Sequence, residues 1–399
     1  MLPHFFNELS PEKYPYAWPI LAMVLGYLFC VLSIPSILYV SHDKQLMAEP
    51  EDRSSHRKAT PTLGGVAIFL SLMLVMTFIG AFLDTKIILL VMGAITILFF
   101  FGLKDDLATI SVSTKLLGEM AAICLLVFFT DTRILSLSGI FGIYELSYTV
   151  SIVLSIFVFL LVINAFNLID GIDGLAGGVG LVGCAVMGVF FFLYNQTSLA
   201  IIAAGLLGTI VAFLRFNFSV SRKLFMGDTG SLVIGFLMAF LCISFVKYHQ
   251  GSEVMSFYNS APVFVFAVLF YPIADTTRIF FLRLFKYKRN PFTADRNHIH
   301  HHYTNLGYSH RRSSFYIVTI NLFIIVFAYL LRDFNINIQL ICLLLYGSLL
   351  YLLTFAIKEI RKLKDKKQNQ LNNSVQNTTS KTKTNGTKVN IKSEKLENN

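Results

Sequence analysis

The sequence predicts an all-α polytopic membrane protein of about eleven transmembrane helices, and three observations carry that reading. Of 399 residues, 55% are hydrophobic and only 14% are charged, against roughly 25% charged in a soluble chain. The mean hydropathy is +0.65. The apolar residues fall into separate runs, most of them near the roughly 20 residues that a helix needs to cross a bilayer. In such a chain the net charge of +10 points to loops kept in the cytoplasm rather than to nucleic acid.

In order, the apolar runs cover 18–40, 63–83, 87–103, 116–129, 148–163, 175–194, 198–214, 230–246, 260–281, 314–331 and 337–357. The first follows "MLPHFFNELSPEKYPY", which lacks the basic start and small-residue cleavage site of a signal peptide. Between the fourth and fifth, "LSLSGIFGIYELSY" alternates around a Gly-rich turn and predicts a small hairpin outside the membrane. The fifth and sixth meet in "NAFNLIDGIDGLAGG", where Asn164, Asn167, Asp170 and Asp173 recur every three residues, the spacing of a winding stripe on one side of a helix. The ninth run holds Pro262 and Pro272, which are expected to bend it. From Lys358 onward the chain is rich in Lys, Asn and Thr, the composition of a disordered tail. Two parts result: an integral-membrane domain, 1–357, and a cytoplasmic tail, 358–399. All five cysteines (Cys30, Cys124, Cys184, Cys242 and Cys342) sit inside apolar runs, so no disulfide framework or thiolate metal site is expected.

An odd number of spans puts the termini on opposite sides, and basic residues choose between them. With the N-terminus outside, the outer segments hold only Lys13, Lys86, Arg133, Lys247 and Arg332 of the 33 Lys and Arg. The tail and the junctions after the first, third, fifth, seventh and ninth runs then face the cytoplasm.

On that same side lie five polar clusters: "EDRSSHRKATPTLGG" (51–65), "GLKDDLATISVSTK" (102–115), "NAFNLIDGIDGLAGG" (164–178), "RFNFSVSRKLFMGDTGS" (215–231) and "KYKRNPFTADRNHIHHHYTNLGYSHRR" (286–312). Acids near a bilayer are costly and mark function. Asp105, Asp106, Asp170, Asp173 and Asp228 would repel one another unless neutralised. A hard cation with oxygen ligands, Mg2+ or Mn2+, resolves this, and Mg2+ is usually shared with substrate phosphates. Arg53, His56, Arg57, Lys58, Lys115, Arg215, Arg222, Lys223 and Arg296 ring the acids. Carboxylates with a metal among cations suit phosphoryl transfer, and the glycines of the clusters let backbone approach a bulky anion.

Each cluster has a plainer reading on its own. "DD" suits any polar helix end, Asp228 or Thr229 suits an N-cap of the eighth helix, and the histidines suit a solvated loop. A zinc site is disfavoured, because no cysteine stands near the histidines and the spacing is not that of a zincin. Five clusters on one face together outweigh the separate readings.

The same residues resemble a known family, the polyprenyl-phosphate N-acetylhexosamine-1-phosphate transferases (glycosyltransferase family 4; the WecA/TagO branch, related to MraY). "HRKATPTLGG" is similar to its early histidine and Gly-Gly loop, and "GLKDDL" to its double aspartate. "NAFNLIDGIDGLAGG" resembles its N..NL.DG.DGLA signature, "FMGDTGS" its metal-loop motif, and "PFTADRNHIHHH" its late PF..D..HLHH loop. The resemblance spans residues 18–357. It implies transfer of a HexNAc 1-phosphate, GlcNAc first, from a cytosolic UDP-N-acetylhexosamine to undecaprenyl phosphate in the bacterial inner membrane, with release of UMP. It also implies Mg2+ on Asp228 assisted by Asn167, with Asp105 and Asp106 at the catalytic centre and Asp105 orienting or deprotonating the lipid phosphate. Asp170 and Asp173 would line the sugar-nucleotide pocket and Phe225 would stack near uracil. Asn217, Lys58 and Lys115 would surround the nucleotide and diphosphate; Arg296, His300, His301 and His302 would hold phosphate or sugar. A homodimer is left open beside a monomer. The chain departs from the pattern at Ala59, where a proline is usual, and at Thr109, where a third acid would complete DDxxD. The late loop favours a small UDP-HexNAc over the pentapeptide donor of the MraY branch. Two other classes compete: an ion-coupled transporter, which needs mid-membrane acids and inverted repeats, and an intramembrane metallohydrolase using the histidines.

Overall fold

A computed structural model describes residues 14–48, 60–83, 86–250, 260–288 and 298–353, with residues 356 and 360. Lys58 and Arg296, with Arg53, His56, Arg57 and Ala59, lie outside the described residues, as does all but residue 360 of the 358–399 segment. The helices are α1 (Ala17–Asp43), α2 (Gly64–Gly80), α3 (Lys86–Leu107), α4 (Val112–Thr130), α5 (Tyr148–Ile169), α6 (Leu175–Leu193), α7 (Thr197–Asn217), α8 (Gly227–Gln250), α9 (Ala261–Val268), α10 (Phe270–Phe281), α11 (Ile299–Asn305) and α12 (His310–Leu330), followed by α13 (Ile336–Leu353). Short antiparallel pairs join β1 (Met47–Ala48) to β2 (Thr60–Pro61) and β3 (Ser136–Ile140) to β4 (Ile143–Glu145); the second is the hairpin expected between the fourth and fifth runs.

Every apolar run of the sequence is helical. Among the described residues nine helices are long and apolar enough to cross a membrane, or ten if the bent pair that begins at Ala261 is one span. The remaining run is the shorter α2, Gly64–Gly80. The chain is thus a multi-pass α-helical membrane protein. The chain divides into two units, Met1–Gly347 and Ser348–Asn399, and the site described below lies in the first.

The hub of that unit is α8. Its apolar stretch is 100% buried, whereas that of α1 is 22% buried and faces outward. α8 packs against α2, α3, α5 and α6, while α1 lies against α2 and α7. A helix apolar all round must be enclosed or face lipid; α8 is enclosed, with Phe236, Phe240 and Phe245 buried. Its first turn therefore sits where neighbouring helices end, and the site forms there.

The expected bend of the ninth run is present, but only one proline makes it. α9 and α10 meet at 76°. Pro262 stands in the first turn of α9, where a missing N–H costs nothing, and bends nothing. Pro272 has no N–H to offer the carbonyl of Val268, four residues back. Asn321 of α12, 1% exposed, repairs the gap: its Nδ2 donates to Val268 O at 3.1 Å and its Oδ1 accepts from Tyr271 N at 3.1 Å. Inside a membrane such backbone groups need partners. Asn321→Leu, which keeps the branching of the side chain and strips both partners, is expected to cost about 1–3 kcal/mol. Thermal unfolding in detergent would read this, and an unchanged melting temperature would contradict it.

Candidate active site

The site begins with a helix end that is capped by another helix. Asp106, in the last turn of α3, points its carboxylate at the first turn of α8. Its Oδ1 accepts from Asp228 N at 2.7 Å, and its Oδ2 accepts from Thr229 N at 3.0 Å and Thr229 Oγ1 at 2.5 Å. A carboxylate at a helix N-terminus satisfies orphan N–H groups and the local positive potential. The capping reading of "GDTGS" is corrected accordingly: α8 starts at Gly227, Asp228 and Thr229 lie inside its first turn, and the acceptor is Asp106. Two glycines permit the approach. A Cβ on Gly102 would stand 2.6 Å from Thr229 Cα, and one on Gly227, whose φ is +70°, would stand 2.6 Å from Asp106 Oδ1.

With its backbone held, Asp228 turns its carboxylate to a ring of partners. Asn167 Nδ2 donates to Asp228 Oδ1 at 3.0 Å and to Ser231 Oγ at 3.0 Å. Lys115 pairs with Asp228 Oδ2 and, at 3.2 Å, with Asp105 Oδ2. Asp105 Oδ1 accepts from Ile110 N at 3.0 Å, so Asp105 closes the α3–α4 connection and steadies Lys115. One turn further along α4, the buried Glu119 accepts from Asn164 Nδ2 at 2.6 Å. Asn164 and Asn167 on α5 thus each serve an acid. Sequence reasoning missed Glu119; its signal was a lone acid inside an apolar run.

A cleft of about 260 Å3 opens beside Asp228, lined by Thr62, Asp106, Asn167, Asp170, Gly171, Ile172, Asp173, Asn217, Phe225, Met226 and Gly227. The stripe read from "NAFNLIDGID" ends early. α5 stops at Ile169, so Asn164 and Asn167 share a helix, whereas Asp170 and Asp173 belong to the connection after it. Burial pushes the Asp170 carboxyl well above the ordinary carboxylate range, and the charges of Asp228, Asp106 and Asp173 push the same way. For Asp173 burial alone would also raise the carboxyl, but hydrogen bonds from His310 and Lys223 outweigh it and hold it below its usual range. Lys223 Nζ lies 2.7 Å and His310 Nδ1 3.4 Å from Asp173 Oδ2, and Ser314 Oγ donates to Asp173 O at 2.6 Å. Asp173 therefore fastens three segments of the wall.

The raised Asp170 carries a prediction. In the unfolded chain it ionises near 3.8; folded, it keeps its proton to higher pH. Between those values the native state binds more protons, so stability falls as pH rises, by up to ~1.4 kcal/mol per unit. Asp170→Asn mimics the protonated acid and should melt progressively higher than the parent as pH increases. A difference in melting temperature that does not change with pH would contradict this.

The opposite wall comes from the loop before α8. Asn217 Nδ2 donates to Leu224 O at 2.9 Å; its buried Oδ1 has no hydrogen-bond partner among the described residues. Phe225 N donates to Pro61 O at 2.8 Å, Gly64 N to Phe225 O at 2.9 Å and Gly65 N to Met226 O at 2.8 Å, zipping "PTLGG" to "LFMG". Lys223 Nζ lies 5.3 Å from the Phe225 ring centre. The histidines lie on α11. His300 is buried against Gly171, the His301 ring is 4.3 Å from that of His300, and His302 Nε2 is 3.4 Å from Arg278 Nη2.

Oxygen donors dominate this set, which favours Mg2+ over zinc. Among the described residues no three His, Cys, Asp or Glu side chains converge as a ready cage. Mg2+ needs none, because it keeps several waters and binds through one or two carboxylates and substrate phosphates. Asp228, with the Asn167 amide beside it and the Lys115 ammonium against one oxygen, has the character of such a cation site.

Comparison with known proteins agrees with the geometry. The sequence model of glycosyl transferase family 4 matches residues 88–246, the stretch that carries every acid of the cleft. An undecaprenyl-phosphate alpha-N-acetylglucosaminyl 1-phosphate transferase of Escherichia coli O157:H7 is 28% identical over 298 residues, 74% of this chain and 78% of its own. The protein of the same name from Salmonella typhi is 28% identical over 279 residues, 69% of this chain and 73% of its own. A probable undecaprenyl-phosphate N-acetylglucosaminyl 1-phosphate transferase of Bacillus subtilis (strain 168) is 26% identical over 324 residues, 80% of this chain and 87% of its own.

Proposed function

We propose that this chain, whose residues 88–246 match the model of glycosyl transferase family 4, transfers a HexNAc 1-phosphate, GlcNAc 1-phosphate first, from a UDP-sugar to undecaprenyl phosphate, releasing UMP. The observation that carries the reading is Asp228 in the wall of the cleft, its amide held by Asp106 and its carboxylate by Asn167 and Lys115. An oxygen of the lipid phosphate attacks the β-phosphorus of the donor. The bond from that phosphorus to the bridging oxygen breaks, and the oxygen leaves with UMP. One diphosphate bond replaces another, so no further energy source is needed.

Most of the work asked of the protein is placement and charge. Asp228 and Asn167 would hold Mg2+, with Mn2+ able to substitute, and the bound metal would spread charge off the donor diphosphate. Lys115 offers an ammonium to phosphate oxygens, with Asp105 orienting it and the incoming lipid phosphate. Asp106 acts one step back, by setting the first turn of α8. A protonated Asp170 can donate to an anionic donor without repelling it. Phe225 supplies a face for uracil, and Asn217 Oδ1, without a partner among the described residues, an acceptor for the base or ribose. Asp173 keeps the wall closed, while His300, His301, His302, Lys58 and Arg296 meet the phosphates or sugar. The lipid phosphate is already a nucleophile, so direct displacement is the mechanism proposed.

The donor is cytosolic, so the site opens to the cytoplasm of a bacterial inner membrane, with the N-terminus outside and the C-terminus inside. Purified protein should release UMP from UDP-GlcNAc only when undecaprenyl phosphate and Mg2+ are both present. No release from UDP-GlcNAc or any other UDP-HexNAc would remove the substrate assignment.

A further inference from the structure

A helix as short as α11, seven residues, does not hold itself together, so its position must be imposed from outside. One turn of α10 imposes it. Asp275, 0% exposed, accepts from Ile299 N at 2.9 Å through Oδ1 and meets His298 Nδ1 at 2.8 Å through Oδ2. Three residues on, Arg278 lies 3.8 Å from Asp275 Oδ1 through Nη1 and 3.4 Å from His302 Nε2 through Nη2. α10 thus grips the start of α11 and its fourth residue together.

What the grip delivers is His300. This side chain is 1% exposed, and neither ring nitrogen has a hydrogen-bond partner among the described residues. A Cβ on Gly171 would stand 2.5 Å from its Nε2, so the imidazole lies directly on the backbone between Asp170 and Ile172, which lines the cleft. Burial, reinforced by the neighbouring His301, pushes His300 down to about 3. At neutral pH it is an uncharged donor and acceptor. Two unmet polar atoms in a buried ring are costly, and these lie against Gly171, in the wall of the cleft.

We propose that Asp275 is a positioning residue for the transfer, latching α11 through His298 and Ile299 so that His300 meets the donor at Gly171. Gly171 fits the arrangement, since any side chain there would occupy the place of the ring. The proposal rests on the transferase reading, so its tests separate the two.

The first test is a double-mutant cycle on donor kinetics. Asp275→Asn and His300→Ala should each raise KM for UDP-GlcNAc about tenfold, with KM for undecaprenyl phosphate unchanged. The double variant should be no worse than His300→Ala, because residues acting through one another are not additive. Additive losses, or an Asp275→Asn enzyme with parental kinetics, would overturn the latch. The second test needs no activity: hydrogen exchange across residues 298–305. Protection there should be strong in the parent, reduced in Asp275→Asn and lost in Asp275→Leu, with α8 unaffected. Equal protection in all three would overturn the latch; lost protection with no UMP release from the parent would keep it and discard the transferase reading.

Discussion

Asp228→Ala is expected to lower turnover about a thousandfold while the protein still folds. The reason lies in how the side chain and the backbone of this residue are divided. The amide of Asp228 is held by Asp106, and alanine keeps that amide. The carboxylate faces Asn167 and Lys115 and does not hold the helix in place. Asp106→Ala should behave differently. It removes the acceptor of three hydrogen bonds at the start of α8, at about 2–3 kcal/mol, so activity and melting temperature should fall together. Turnover and thermal unfolding of both variants decide the matter. Equal destabilisation by the two, or an Asp228→Ala enzyme of near-parental rate, would contradict this division of labour.

Gly102→Ala is expected to lower both activity and stability without touching any charged group. Its new Cβ would lie 2.6 Å from Thr229 Cα and 2.9 Å from Thr229 N, and backbone cannot swing aside as a side chain can. α3 and α8 would have to separate, drawing Asp106 away from the Asp228 and Thr229 amides. Overpacking of this kind costs about 1–3 kcal/mol, and the displaced helix start should lower turnover more than tenfold. Gly188→Ala is the control, since its Cβ would meet only Ala203 Cβ, at 3.4 Å. Parental rate and melting temperature for Gly102→Ala would show that the helices are not held so closely.

Much of this was legible in the residues. Apolar runs locate helices because spanning a bilayer requires them, and acids beside those runs stand out because burying them is expensive. What stayed hidden depends on neighbours from distant sequence. "DD" does not reveal that Asp105 and Asp106 part company, but adjacent residues on a helix diverge by about 100°, and one reaches Lys115 while the other reaches α8. The regular spacing of Asn164 to Asp173 suggested one helix. Gly174, with φ at +75°, instead marks where the connection turns into α6. Asn321 is an unremarkable residue of an apolar helix until Pro272, far away in sequence, leaves a carbonyl for it to satisfy. Glu119 and Asp275 are lone acids whose meaning lies in Asn164 and in His298.

The family whose model matches residues 88–246 takes its name from glycosyl transfer, whereas the names of the relatives specify a sugar 1-phosphate. The two reactions break different bonds. Glycosyl transfer breaks the bond from the anomeric carbon and releases UDP; phosphosugar transfer breaks the bond at the β-phosphorus and releases UMP. A cation held by these carboxylates beside a diphosphate would favour the second. The direct measurement uses UDP-GlcNAc radiolabelled at the α-phosphate, the β-phosphate or the sugar, incubated with purified protein, undecaprenyl phosphate and Mg2+, then partitioned between water and butanol. β-Phosphate and sugar labels should move together into the lipid phase while the α-phosphate stays in water as UMP. Sugar label in the lipid with both phosphates left in water would contradict the account.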